Sequence, residues 1–289
     1  MRCKLYKLNF ESYLHSRVSL RGITFPGSDT IFAAVANAIA ELDGEKEVIE
    51  FCRSNPRFSS CFPYWKEKIF LPNHKGWKDA DKALKRAKWI EASLLEKEPE
   101  SQKFEVVNGF IVSEKEKDKD KIKVYKEVEI ARNAKSRINE TTNLYSIRAF
   151  KFEKDSGLYF LYDGEIEIEH ALKYLADVGI CGLKSIGFGK YKLNKGEFSW
   201  DHEGKFGLLL SKCLPAENEY SHVAKGLYEI EERGGWYDFY GRYKRKGKVR
   251  VLKEGSILPT KLRGKVVEVN GIYRNYLAFI LPLRWYDGD

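Results

Sequence analysis

The stretch IEHALKYLADVGICGLKSIGFGKYKL, residues 168–193, contains the pattern that decides the fold. Its first part places apolar residues at helical spacing and stops at Gly179, a residue type that often terminates helices. A glycine-rich turn follows, and residues 190–193 have the pattern of a strand. A strand is also expected at Leu158–Tyr162, so this region has the order strand, helix, strand.

The start of the chain has the same order. Residues 6–11 alternate between apolar and polar side chains, which predicts a strand. Apolar residues at helical spacing then predict a helix over Thr30–Leu42, with Ser28 or Asp29 as its N-cap. We therefore predict an α+β protein made of two antiparallel units of the split βαβ type. The two units are expected over residues 1–150 and 151–289.

The remaining pattern predicts more strands than helices. A charged run, residues 113–127, holds six lysines and five acids, and we expect it to be an exposed loop or hairpin tip. A hairpin or flap is expected between the two halves. The other expected elements are helices at 45–53 and 79–98, an extended segment at 62–72, the hairpin at 131–152, and strands at 206–210, 248–252, 265–269 and 277–281.

Composition excludes several classes of protein. The 289 residues are 43% hydrophobic, which excludes disorder over most of the chain and provides for a sizeable core. No apolar run approaches the roughly 20 residues that cross a bilayer, so we expect a cytoplasmic protein without membrane contact. The five cysteines and five histidines are scattered without metal-binding spacing, so we expect no disulfide framework, metal or cofactor.

The formal net charge of +9 points to an acidic partner only where the cations are concentrated. Residues 242–253 carry seven cations and no acid. On paired strands alternate residues share a face, so several of these charges would converge. An exposed solubilising face and a nucleic-acid-binding face both fit this run.

The glycine-rich turn resembles a phosphate-binding loop in composition, because glycine lets backbone amides approach an anion. It fits neither the Walker A motif nor the dinucleotide fingerprint. It also follows a helix, whereas both of those motifs precede a helix. A structural turn and a contact with a polynucleotide backbone remain as interpretations.

His15 and Arg17 follow the first strand. A histidine beside a basic residue could act as general acid and base in RNA cleavage, although a lone exposed histidine is more often inert. Asp29 could act on RNA through a metal, but helix capping is the simpler interpretation. The sequence thus indicates a binding surface more clearly than an active site.

Several segments, taken in order, resemble the RAMP proteins of CRISPR systems. The similarity runs from about residue 5 to 283, and the tail segments resemble the subfamily that caps the crRNA 5′ end in type III-A effector complexes. The segments are Ser28–Phe32, Ser60–Tyr64 with Phe70–Pro72, Asn133–Asn139 with Thr141 and Thr142, Gly182–Lys190, Glu229–Trp236 and Glu254–Ser256.

The resemblance implies two ferredoxin-like (RRM-type) units packed together, with a β-hairpin thumb from about residues 104–150. It implies a non-catalytic, RNA-binding subunit that holds the 5′ repeat-derived handle of the crRNA. Its partners would be the backbone RAMP subunit and the large polymerase-domain subunit. The residues expected to contact RNA are His15, Arg17, Arg132, Asn133, Arg137, Gly182, Lys184, Ser185, Gly187, Gly189 and Lys190.

Two other functions fit parts of the pattern. A crRNA-processing, metal-independent endoribonuclease of the same superfamily would use His15, but no tyrosine or lysine is clearly placed with it in the sequence. A general RNA-binding or ribosome-associated protein is the other alternative.

Overall fold

A computed structural model describes residues 1–16, 18–19, 22–74, 76–77, 81–98, 102–116, 122–135, 142–239, 242–269 and 271–288. The described helices are α1 Ser28–Leu42, α2 Glu45–Arg53, α3 Lys82–Arg86, α4 Glu169–Val178 and α5 Tyr220–Val223. The strands up to the mid-chain are β1 Arg2–Phe10, β2 Val18–Ser19, β3 Gly22–Ile23, β4 Arg57–Phe58, β5 Phe62–Trp65, β6 Lys68–Pro72, β7 Trp89–Glu91, β8 Phe104–Val107, β9 Phe110–Ser113, β10 Tyr125–Lys135 and β11 Thr142–Phe152. The later strands are β12 Ser156–Asp163, β13 Tyr191–Ser199, β14 Phe206–Leu209, β15 Ile230–Phe239, β16 Arg242–Leu252, β17 Ile257–Pro259, β18 Gly264–Val269, β19 Ile272–Leu277 and β20 Ile280–Pro282.

The central sheet confirms the α+β class. Its antiparallel core has the order β13-β1-β12-β5, and β6 to β9 extend it on the β5 side. In chain order the core elements are β1, α1, β5, β12, α4 and β13, the β-α-β-β-α-β arrangement of a split βαβ unit. Strands from both sides of residue 150, the expected boundary between the two units, are neighbours in this sheet.

Each face of the sheet packs against a different part of the chain. Tyr6 and Leu8 of β1 belong to the core formed with α1 and α4. Leu5, on the opposite face, belongs to a core that includes Leu208 of β14 and Leu281 of β20. The central strand β12 is therefore buried on both faces, and its residues 158–162 are all 0% exposed.

The C-terminal part consists mainly of strands. Its described residues form a three-stranded sheet, β17-β14-β20, and two separate hairpins, β15-β16 and β18-β19. The four-residue α5 is the one α-helix among the described residues after 200. No helix in the described part of the chain is long and apolar enough to span a membrane.

The mid-chain hairpin is confirmed. Strands β10 and β11 pair over eleven residues each, from Tyr125 opposite Phe152 to Lys135 opposite Thr142. We expected the whole charged run, residues 113–127, to be exposed. This is wrong near its C-terminal end, because Ile122 and Val124 are buried against Phe70 and Phe110. Residues 117–121 of that run lie outside the described residues.

The expected helix over 79–98 is also wrong. The α-helix is limited to α3, and β7 and a 3₁₀ turn at Ala92–Glu96 follow it. The apolar spacing is compatible with a helix, but Trp89 and Ile90 pair with both β6 and β9. Sheet pairing therefore overrides local helical preference here. The strand expected at 277–281 is interrupted at residues 278–279, between β19 and β20.

Candidate nucleic-acid interface

The glycine loop, residues 179–190, follows α4 and is folded tightly on itself. Gly189 has a φ of +77°, and a Cβ there would lie 2.1 Å from the carbonyl oxygen of Ile180. This position therefore requires glycine for close backbone packing. Gly187 differs, since its φ is +85° but a Cβ there would meet nothing within 4 Å. Gly189 is thus required for the packing of the loop, whereas Gly187 leaves open space beside the backbone.

The segment 11–16 connects this loop to the base of the mid-chain hairpin. The amide of Gly182 donates to the His15 carbonyl at 2.9 Å, and the amide of Gly189 donates to the Tyr13 carbonyl at 2.8 Å. On the other side Leu14 and Phe150 exchange two backbone hydrogen bonds at 3.0 and 2.9 Å. The glycine loop and the hairpin base therefore form one connected surface.

His15 links the same two parts through its side chain. Its Nδ1 lies 2.7 Å from the carbonyl oxygen of Arg148 in β11. A carbonyl can only accept a hydrogen bond, so Nδ1 carries the proton and Nε2 is the basic nitrogen when the ring is neutral. A Cβ at Gly182 would lie 2.7 Å from His15 Cδ2, so the glycine makes room for the ring. These contacts give His15 a positioning role.

The predicted polar residues of the loop are exposed to solvent. Lys184 and Ser185 begin a 3₁₀ turn that ends at Ile186, and Lys190 lies just before β13. All three predicted residues are exposed. The Lys190 amide donates to Ser12 Oγ at 3.1 Å, which fixes the position of its backbone. Cations and a hydroxyl thus border the connected surface.

The predicted RNA-contact residues of the mid-chain hairpin do not all lie on one face. Arg132 lies opposite Tyr145 and Asn133 lies opposite Leu144, so the strand's alternation places Arg132 and Asn133 on opposite faces of the hairpin. Leu144 is 82% exposed, which makes this part of the hairpin available to a partner. Arg17 and Arg137, two other predicted contacts, lie outside the described residues.

A buried ion network lies at the start of α1, and the sequence interpretation missed it. Arg233 of β15 donates to both carboxylate oxygens of Asp29, at 2.6 and 2.9 Å. Lys212 contacts Glu231 at 2.8 Å and also pairs with Glu254. The side chains of Arg233 and Lys212 are only 8% and 6% exposed. Such buried charges require partners of opposite sign.

This network explains why the N-cap prediction is wrong. Helix α1 begins at Ser28 itself, and its N-cap is Gly27. The Ser28 amide donates to Ser60 Oγ at 3.0 Å, while Ser28 Oγ accepts from the Lys212 amide at 2.9 Å. The Asp29 carboxylate is used by Arg233. Both candidate caps therefore make long-range contacts, and neither forms the N-cap hydrogen bond of α1.

Electrostatics keep the buried carboxylates of the network ionised. Burial by itself would raise the pKa of Asp29, but the charge and hydrogen bonds of Arg233 outweigh it and lower the pKa. Burial likewise opposes ionisation of Glu254, and Lys212 together with Ser60 lowers its pKa. These acids act as fixed structural charges.

The segments that carry the family resemblance meet in this network. Ser28–Phe32 supplies Asp29, Ser60–Tyr64 supplies Ser60, Glu229–Trp236 supplies Arg233 and Glu254–Ser256 supplies Glu254. These segments lie far apart in the sequence, so local patterns do not predict that they meet. The hydrogen bond from Arg233 to Asp29, for example, joins residues 204 positions apart. The resemblance was the one sequence signal that grouped them.

Comparison with known proteins identifies the relatives of this chain. Residues 202–283 match the model of the CRISPR Csm4 C-terminal domain. The chain is 27% identical, over 258 residues and 81% of each chain, to the CRISPR system protein Csm4 of Thermococcus onnurineus (strain NA1).

Solved structures have the same fold. A Csm3-Csm4 subcomplex of the type III-A CRISPR-Cas interference complex matches with a TM-score of 0.73 and 19% identity, over 98% of this chain and 99% of the other. A Csm1-Csm4 cassette in complex with AMPPNP matches with a TM-score of 0.67 and 21% identity over all of both chains. The chain is therefore similar in sequence to a Csm4 protein over most of its length, and it has the fold of chains in these type III-A CRISPR assemblies.

Proposed function

We propose that this chain is a non-catalytic, RNA-binding subunit of a type III-A complex, which holds the 5′ repeat-derived handle of the crRNA. In the same complex it joins the large subunit to the backbone RAMP subunits. Relatives with this fold form a Csm1-Csm4 cassette and a Csm3-Csm4 subcomplex, which supports a linking role.

The observation that carries the RNA-binding role is the connected surface formed by segment 11–16, the glycine loop and the hairpin base. Exposed Lys184, Ser185 and Lys190 offer donors to a phosphate backbone, and Gly187 leaves the backbone open to a ligand. Single-stranded RNA is held by such backbone donors, cations and open surfaces. His15 and Gly182 position the loop against the hairpin.

Binding of a fluorescently labelled handle RNA to the full chain tests this role. In Lys184→Ala/Lys190→Ala we expect weaker binding and a salt dependence less steep by about 0.7 in log Kd per log salt for each phosphate that the variant no longer binds. The control is Lys205→Ala/Lys225→Ala, which removes two exposed lysines away from the loop. Equal affinity and slope in all three proteins would contradict the assigned residues.

The linking role has a separate readout. Co-purification with the large and backbone subunits of the same system should recover one complex containing all three proteins. Recovery of the chain with neither subunit would contradict this role.

A further inference from the structure

A cavity lies between the start of α1 and the β15-β16 hairpin, and the RNA contacts described above do not use it. Its volume is about 490 Å³. Its lining includes Thr30, Arg233, Gly234, Gly235, Arg245 and Lys246. We call it the hairpin pocket.

The strand pairing beside this pocket is irregular. Arg233 pairs with Val249, but Gly235 pairs with Lys246, so the register shifts between Arg233 and Gly235. Arg274 of β19 donates to the carbonyl oxygens of Gly247 at 2.7 Å and Arg233 at 3.3 Å. These two carbonyl acceptors of the irregular segment are thereby occupied.

The two glycines leave the backbone accessible. A Cβ at Gly235 would meet nothing within 4 Å, and the nearest atom to a Cβ at Gly234 is Lys248 Cγ at 3.6 Å. A ligand can therefore approach the main chain more closely here than over residues with side chains.

The pocket has more positive than negative charge available to a ligand. Glu232 and Lys248 also line the pocket and pair with each other at 2.6 Å, and Arg233 is engaged by Asp29. Within the described ranges, Arg245 and Lys246 have no carboxylate within ion-pair distance. Lys246 is half-buried, and burial together with the charge of Arg274 lowers its pKa, against a smaller opposing effect of Asp29. A half-buried cation beside other cations favours an anion.

An exposed aromatic side chain lies beside the pocket. Trp236, which is 65% exposed, follows Gly235 directly and offers a flat surface on which a base can stack.

We propose that the hairpin pocket binds a phosphate group of single-stranded RNA through Arg245, Lys246 and the backbone at Gly234 and Gly235. The proposal rests on the proposed function, because the ligand is a phosphate of the RNA held by this subunit. An arginine and a lysine beside an open backbone form the combination of donors that suits a tetrahedral oxyanion.

The test measures binding of labelled handle RNA by the full-length variant Arg245→Ala/Lys246→Ala. We expect Kd to rise about tenfold, which corresponds to roughly 1.4 kcal/mol. The Lys205→Ala/Lys225→Ala protein removes the same charge elsewhere and should change Kd less than about twofold, since exposed charges away from the site act weakly. An equal loss of affinity in both variants would overturn the pocket, because net charge would then explain the effect.

A second variant changes the shape of the pocket at constant charge. The φ of Gly234 is compatible with a side chain, so Gly234→Val should fold and block access to the backbone. We expect a loss of RNA affinity with an unchanged melting temperature. Unchanged affinity in a folded Gly234→Val protein would overturn the role of the backbone.

Two comparisons separate the possible results. If the wild-type chain does not bind the handle RNA, the proposed function fails. If it binds and all pocket variants bind equally well, only the pocket proposal fails. Handle RNAs with a 5′-phosphate and a 5′-hydroxyl then identify the bound group. A pocket-dependent preference for the 5′-phosphate indicates the terminal phosphate, whereas equal, pocket-dependent affinity indicates an internal phosphodiester.

Discussion

Asp29 and Arg233 show how one ion pair joins distant parts of the chain. The pair connects the first turn of α1 to β15 across 204 positions of sequence. Both side chains are largely buried, at 16% and 8% exposure. Removing one partner of a buried pair leaves the other charge desolvated without compensation, which costs more than the pair itself contributes.

We expect Asp29→Asn to lower the free energy of unfolding by roughly 3 kcal/mol at neutral pH. The lowered pKa of Asp29 means that this contribution is present above its ordinary value of 3.8 and is lost as the pH falls through the folded-state value. The difference between wild type and variant should therefore shrink only in acid. Denaturant unfolding from pH 7 to pH 3 measures it.

Exposed Asp201 provides the matched control. Asp201→Asn should change the free energy of unfolding by less than about 0.5 kcal/mol. If Asp29→Asn behaves like this control, the buried pair does not stabilise the connection between α1 and β15.

At the scale of elements, strong local patterns predicted the structure well. The first strand, α2, α4 with its end at Gly179, and the mid-chain hairpin are all present where the sequence indicates them. The errors arise where a contact with a residue distant in the sequence determines the local structure. Trp89 and Ile90 join a sheet in place of continuing a helix, and Ser28 and Asp29 bond to distant residues in place of capping.

The glycine loop yields a prediction from two glycines with similar backbone angles. A non-glycine residue in this left-handed region costs roughly 1–2 kcal/mol, so Gly187→Ala should destabilise the protein by about that amount. Gly189→Ala should cost more, because its Cβ also collides with the Ile180 carbonyl. Thermal and denaturant unfolding of both variants measures the difference. Equal destabilisation would show that the loop does not pack as tightly as the structure indicates.

At the scale of the molecule, the sheet separates two packing layers, and the ion network ties the C-terminal strands to the start of α1. The sequence indicated the basic run near residues 242–253 but not its geometry. Strand pairing places Lys246 beside Gly235 at the irregular part of the hairpin, and both residues line the cavity. Likewise, the sequence selected His15 and Gly182 separately, whereas their direct contact depends on the folded chain.

The connected surface on which the proposed function rests can be mapped directly by photo-crosslinking of handle RNA that carries 4-thiouridine, followed by mass spectrometry of the crosslinked peptides. The measurement uses the full chain at a salt concentration where the RNA is bound. We predict crosslinks to peptides that contain residues 11–16 and 179–190. Bound RNA that crosslinks to neither peptide would contradict the account.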